Sequence, residues 1–335
     1  MVTLALVGVG AWGKNLLRAL STLPGARLKW VYDKNTDLLA RAAASVPQAR
    51  AASDLEEILA DPETRAVAIA TPARTHHDIA KACLEAGKDV FVEKPLSLSV
   101  ADGSDLVRAA KATGRRLMVG HLMRYHPAFE RLLEIAAADA GRIHYVYSQR
   151  LNLGVIRRDE NALWSLAPHD VSMILALLGG AMPARIAARG GCFVQPGVED
   201  VVFATMTFPG GELANLHVSW LDPHKVRRLT VVGAKKMITF DDQEPSEKIR
   251  IYEKGAEPPQ AVATFAEAIS VRVGDVLIPR VGASEPLRSE MAHFVECVEK
   301  GAEPRTDAAE GLRVLKVLSA AQASIARGGE PVEIA

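Results

Sequence analysis

Residues 3–13 read TLALVGVGAWG, a short apolar run that leads into Gly8, Gly10 and Gly13. TLALV at 3–7 has the length of a buried strand, and residues 13–21 carry helical periodicity. A G-x-G-x-x-G between a strand and a helix start lets backbone N–H groups and the positive end of the helix hold a pyrophosphate. Gly8, Gly10, Ala11, Trp12 and Gly13 are therefore candidate dinucleotide ligands. Pro24-Gly25 marks a turn, and the apolar run at 27–32 ends at Asp33. A carboxylate there accepts both hydroxyls of an adenine ribose and repels a 2′-phosphate, so the expected cofactor is NAD rather than NADP, with Lys34 working the other way.

The same grammar continues along the chain. A helix at 54–59, the strand AVAIA at 66–70, a helix at 75–86 closed by Gly87, DVFVE at 89–93, a helix at 99–112 and RLMVG at 116–120 follow in turn. Strands and helices that alternate with short links predict a parallel, doubly wound sheet. After about residue 140 strand-like runs succeed one another: IHYVYSQRL, RIAARGGCFV, DVVFATMTF, ELANLHVSWL, RRLTVVGAKKMITF and KIRIYEK. Pro209-Gly210-Gly211 reads as a hairpin turn, Glu257-Pro258-Pro259 as another turn, and a helix is expected from near His169 to Leu178. Residues 288–327 return to helical periodicity in two segments split at 301–304. The fold expected is α/β: a Rossmann domain over 1–122 and an α+β domain with a largely antiparallel open sheet over 123–335. The second would serve substrate binding and oligomerisation, with the terminal helices packing back on the first.

Composition narrows the partners. With 40 basic and 40 acidic residues the chain has no net field for a nucleic-acid backbone or an anionic membrane, so a small or medium molecule is expected. The start MVTLALVGVG lacks a charged leader region and a cleavage site, and no apolar run approaches the roughly 20 residues of a membrane span. A cytoplasmic location is expected. Cys83, Cys192 and Cys297 are far apart without a C-x-x-C pair and read as small buried apolar residues rather than a disulfide or zinc framework. His76 and His77 read as packed or solvent-facing rather than as metal ligands, and no metal is expected. Thr71-Pro72 ends a strand at the carboxyl edge of the sheet, where the pair would line the cofactor cleft or Thr71 would cap the next helix.

Glu93-Lys94-Pro95 ends the next strand, Arg124 and Pro127 follow the sixth, and the closing stretch reads EMAHFVECVEKGAEPRTDAAEGLRVLKVLSAAQAS. With Ala70-Thr71-Pro72, the glycine motif and Asp33, these features make the chain resemble the Gfo/Idh/MocA family over nearly its whole length. The resemblance implies an NAD-dependent enzyme that moves a hydride reversibly at a sugar-type alcohol carbon. It implies that Lys94 reaches the substrate hydroxyl beside the nicotinamide, that the adjoining proline is often cis, and that His76 and Glu93 join Thr71, Pro72 and Lys94 on the cofactor side. It also makes His169, in Ala167-Pro168-His169-Asp170, the candidate general base, with Lys94, able to steady an alkoxide or shuttle its proton, as the alternative acceptor. The usual acidic neighbours four before and three after are Ser165 and Ser172 here, and Asp170 is left to cap the helix or orient the imidazole.

The segment LNLGVIRRDENALWSLAPHD resembles nucleotide-sugar 3-dehydrogenases that begin 3-amino-sugar synthesis for lipid A or lipopolysaccharide, whose substrates are UDP-N-acetylglucosamine and its uronic acid. On that resemblance the substrate residues are Lys94, Arg124, Arg150, Asn152, Arg157, Arg158, Trp164 and His169. The arginines would donate to a diphosphate and Trp164 would offer an apolar face. A homodimer or homotetramer and functional coupling to an aminotransferase are also implied. An NAD-dependent dehydrogenase of a free polyol such as inositol is the alternative enzyme. A non-catalytic NAD-binding regulator on the same fold is the alternative of another class, and the presence of both Lys94 and His169 argues against it.

Overall fold

The computed structural model describes residues 1–158, 160–257 and 270–334, so the Pro258-Pro259 turn signal lies outside the described residues. Two compact units emerge, Met1–Tyr125 with Ser284–Lys316, and His126–Ala283 with Val317–Ala335. Among the described residues no helix is long and apolar enough to cross a membrane.

The first unit runs β1 (Val2–Val7), α1 (Gly13–Ser21), β2 (Ala26–Tyr32), α2 (Thr36–Ser45), β3 (Arg50–Ala51), α3 (Leu55–Ala60), β4 (Ala66–Ile69), α4 (His76–Glu85), β5 (Asp89–Glu93), α5 (Val100–Thr113) and β6 (Leu117–Gly120). The described strands form one parallel sheet in the order β3-β2-β1-β4-β5-β6. The order turns back between β1 and β4, which opens a ligand crevice at the carboxyl ends of these strands. Both faces are covered, which is why the strands read as continuous apolar runs. Leu4 and Leu6 pack with Phe91, Met118 and with Leu287, Met291 and Phe294 of the helix Pro286–Lys300, while Ala5 and Val7 pack with Val67, Ile69, Val90 and Val92 on the other side.

The second unit contains α6 (Pro127–Asp139), β7 (Ile143–Leu151), α7 (Ala162–Leu177), β8 (Arg185–Gly191), β9 (Val201–Thr207), β10 (Leu213–Ser219), β11 (Val226–Gly233), β12 (Met237–Asp241), β13 (Ile249–Tyr252), β14 (Gly255–Glu257), β15 (Ser270–Arg272), β16 (Val276–Leu277) and β17 (Val332–Glu333). Among the described residues one mixed sheet runs β16-β13-β12-β11-β7-β10-β9-β8-β17, antiparallel except where β10 lies parallel to β7. β14 and β15 pair separately. β9 and β10 meet through the turn read at Pro209-Gly210-Gly211. Their inward residues, Val202, Ala204, Met206, Ala214, Leu216 and Val218, are buried on the side where α7 packs.

Three local expectations need correction. The helix expected from near His169 is α7, which starts seven residues earlier: the Asn161 side chain accepts the Trp164 N–H and caps it, and Pro168 sits inside. Proline deletes one hydrogen bond, but burial of Val171, Ile174 and Leu175 holds the helix together across it. The run RRLTVVGAKKMITF is two strands, because the chain reverses at 234–236 and lays β12 back along β11. Cys83 and Cys297 are buried as expected, but Cys192 is exposed, because it lies one residue beyond the end of β8.

Candidate active site

The glycines at the end of β1 do different work. Gly8 has φ of +93°, and a Cβ there would lie 2.7 Å from the Ala70 carbonyl carbon; a Cβ on Gly13 would lie 2.0 Å from the Gly8 oxygen. Both are required so that the loop and α1 can close onto the end of β4. A Cβ on Gly10 would meet nothing within 4 Å, so this glycine leaves an open face. No side chain caps the start of α1 at Trp12, and the first turn carries no acidic residue. Backbone N–H groups and the positive helix end thus face that opening, a fit for a pyrophosphate. Asp33, just past β2, accepts the Val9 N–H on Oδ2 and the Asn35 N–H on Oδ1, each at 2.8 Å, so it pins the glycine loop as well as presenting oxygens.

Across the turn-back of the sheet, Thr71 and Pro72 follow the end of β4. Thr71 caps no helix; the hydroxyl of Thr75 lies 2.8 Å from both the Thr71 hydroxyl oxygen and the Pro72 carbonyl. The His76 ring is buried, with Nδ1 2.8 Å from the Pro95 carbonyl and Nε2 2.9 Å from the Thr71 carbonyl. Both ring nitrogens face backbone carbonyls, so His76 links the segments that follow β4 and β5 instead of offering a nitrogen to a ligand. His77 lies 3.0 Å from Asp105. Glu93 ends β5, Lys94 follows half-buried, and the Lys94–Pro95 peptide is cis. The Trp12 indole N–H donates to Glu93 Oε1, tying the glycine loop to this strand end. Burial pushes the Glu93 carboxyl up to about 7, against the Trp12 hydrogen bond and the Lys94 charge. Arg124, in the short 3-10 turn Leu122–Tyr125, lies 3.3 Å from Glu310, which His121 also approaches at 3.4 Å.

The expected substrate residues of the second unit divide. Arg150, at the end of β7, is buried with its Nε 2.5 Å from Asp170 Oδ2, and the Ser148 hydroxyl donates to the other oxygen at 2.5 Å. Its guanidinium is committed inside the unit, and Asp170 pairs with it rather than capping α7. Asn152 donates its backbone N–H to Ser219. Arg157 is exposed and pairs with Glu160 at 2.9 Å. Arg158 and Trp164 line a cavity of about 250 Å³ with Asn161, Glu199 and Gln322. His169 is half-buried on α7, and helical spacing puts Ser165 and Ser172 on its face of the helix.

Residues 2–121 match the family described as "Oxidoreductase family, NAD-binding Rossmann fold", and residues 135–239 match the "GFO/IDH/MocA C-terminal domain". The chain belongs to the GFO/IDH/MocA oxidoreductase family. The glycine loop and Asp33 of this oxidoreductase lie within the residues that match the NAD-binding Rossmann fold. It is 29% identical to the UDP-N-acetylglucosamine 3-dehydrogenase of Acidithiobacillus ferrooxidans over 82% of this chain and 85% of that protein. The solved structure of that enzyme superposes with a TM-score of 0.82 at 26% identity, over 96% of this chain and 97% of the other. The NAD-dependent scyllo-inositol 2-dehydrogenase of Bacillus subtilis is 27% identical over 99% of this chain and 96% of its own length. GenD2 from gentamicin A biosynthesis, solved in complex with NAD, superposes with a TM-score of 0.83 at 28% identity, over 100% of this chain and 96% of that one.

One residue of this family member's nucleotide-binding unit escaped the sequence reading. Glu290 lies on the buried face of the helix Pro286–Lys300, 1% exposed, and neither of its carboxyl oxygens has a hydrogen-bond partner among the described residues. Its signal was present: a carboxylate at the same helical spacing as Leu287 and Phe294, on a stripe otherwise apolar.

Proposed function

We propose that this oxidoreductase oxidises the C3 hydroxyl of a UDP-sugar, UDP-N-acetylglucosamine or its C6 acid, to the 3-keto sugar that a later transamination turns into a 3-amino sugar for lipid A or lipopolysaccharide. The likeness in sequence and fold to the UDP-N-acetylglucosamine 3-dehydrogenase carries this reading. When bound, NAD supplies the hydride acceptor. Lys94 steadies the alkoxide that develops as the hydroxyl proton leaves, and His169 takes that proton. Ser165 and Ser172 stand on the helix face of His169. Arg158 and Trp164 bind the diphosphate and an apolar ring face. Copies of the chain pair through the exposed sheet face that carries Tyr145, Tyr147 and the stacked Phe203 and His217, whose ring centroids are 4.2 Å apart.

A second reading, oxidation of a free polyol, draws on the inositol dehydrogenase likeness and on Arg150 and Arg157, whose engagement by Asp170 and Glu160 reduces the cationic reserve that a diphosphate needs. Each candidate, UDP-N-acetylglucosamine, its uronic acid and inositol, should be incubated with NAD and a sugar aminotransferase that consumes the ketone, because the oxidation is uphill near neutral pH. A 3-amino UDP-sugar is the expected product. NADH formed from inositol alone would replace the first reading by the second.

A further inference from the structure

Two carboxyl groups come together in the first unit, and the chemistry described so far uses neither as a proton carrier. Glu93 ends β5 two residues beyond Phe91, and Glu290 lies on the helix Pro286–Lys300 one turn before Phe294, whose ring centroid is 5.9 Å from that of Phe91, so both carboxyl groups belong to this packed interface. Gly120, at the end of β6, makes room for Glu93: a Cβ there would lie 3.0 Å from its Oε2. The surroundings are asymmetric. Glu93 receives the Trp12 indole N–H and, at 3.3 Å, the Lys94 backbone N–H, and it feels the Lys94 ammonium. Among the described residues Glu290 interacts electrostatically with Glu93 and with the phenol of Tyr125, whose hydroxyl is 2.9 Å from Thr306 Oγ1 with the Arg305 guanidinium over its ring. Two anionic carboxylates in such a place repel each other and lack solvation, and a single proton relieves both. Burial and the neighbouring carboxylate accordingly hold Glu290 well above the ordinary glutamate range.

We propose that Glu93 and Glu290 hold one proton between them near neutral pH, and that the bound cofactor controls it, the cationic nicotinamide of NAD expelling the proton and the neutral nicotinamide of NADH retaining it. The inference rests on the reading that NAD lies along the glycine loop. With Asp33 on the adenine side at β2, the order β2-β1-β4-β5 would carry the nicotinamide half toward the ends of β4 and β5, where Trp12 ties the loop to Glu93. A carboxylate at Glu93 is favoured by the positive ring and loses that favour on reduction. The balance closes without another reactant: alcohol and NAD give ketone, NADH and one proton, and the pair takes up that proton in net terms as the positive charge disappears.

The test is calorimetric titration of the whole protein with NAD and with NADH, in two buffers of different ionisation enthalpy. NADH binding should take up protons and NAD binding release them. The ratio Kd(NAD)/Kd(NADH) should then fall as pH rises, by up to about tenfold per pH unit over roughly pH 6.5 to 8.5. Glu93→Gln should flatten this dependence. Glu290→Gln, whose neutral amide does not repel a charge, should move it to lower pH, and it carries the test alone if Glu93→Gln does not fold. Equal proton counts for the two cofactors, or a dependence unchanged in both variants, would overturn the inference while leaving the cofactor reading intact. A protein that binds neither cofactor would sink that reading and the inference with it.

Discussion

The glycine loop allows a paired experiment in which one substitution is the control for the other. In Gly13→Ala the new methyl would sit 2.0 Å from the Gly8 oxygen, backbone against backbone, with no flexible side chain to give way. More than an ångström of separation must be recovered by moving α1 or the loop, an overpacking that costs about 1–3 kcal/mol or more. For a unit of this size each kcal/mol lowers Tm by roughly 2–4 °C, so a fall of several degrees is expected. NAD affinity should fall with it, because the displaced amides are the ones proposed to hold the pyrophosphate. In Gly10→Ala the methyl meets nothing within 4 Å, and the fold should keep its stability to within about 1 kcal/mol. The methyl nevertheless occupies the open face, so Kd for NAD should rise tenfold or more, about 1.4 kcal/mol. Thermal unfolding and fluorescence titration with NAD measure the two quantities separately. Wild-type affinity in Gly10→Ala would show that the pyrophosphate does not approach this face, and a wild-type Tm in Gly13→Ala would show that the close packing on Gly8 is not real.

Lys94→Ala should lower turnover by about two orders of magnitude with little change in NAD affinity, read by steady-state kinetics beside a cofactor titration; retained turnover would remove Lys94 from the mechanism. Direct titration should show NAD binding at least about tenfold more tightly than NADP, because Asp33 meets the extra phosphate; equal affinities would mean that Lys34 offsets the carboxylate. Arg150→Ala strands the Asp170 carboxylate in the interior and should lower unfolding stability by about 3–5 kcal/mol, so a variant of unchanged Tm with only a raised KM would restore Arg150 to the substrate site. Glu93 and Glu290 are raised above the unfolded carboxyl value, so the folded chain binds more protons there; the stability this brings is complete below about pH 4.5 and is lost as pH rises through the folded values, about 7 for Glu93. Glu290→Gln should therefore shrink the fall in Tm between about pH 5 and about pH 8, and an unchanged fall would place the titration elsewhere.

By itself the sequence determined whatever depends on neighbours along the chain. A strand followed by Gly8, Gly10 and Gly13, with Asp33 at the end of the next strand, specifies the tight loop proposed to cradle the cofactor, since its partners lie within one βαβ unit and the glycines answer to local backbone geometry. The parallel first sheet was legible for the same reason, although the cap at Asn35, whose side chain accepts the Asp37 and Leu38 N–H groups, announced an α2 that periodicity passed over. The tertiary structure decided what depends on groups far apart in sequence. Arg150 looked like a substrate ligand because sequence shows its charge but not Asp170 twenty residues on, buried against it. His76, read as packed or solvent-facing, is packed, and only the fold shows what holds it there, the carbonyls of Thr71 and Pro95. α7 runs through Pro168 because packing on the sheet outweighs one lost hydrogen bond, a comparison that local propensity cannot make. Glu290 gained its meaning only when folding carried it across nearly two hundred residues to Glu93, because burial and proximity, which shift a carboxyl group most, are properties of the fold and not of the chain.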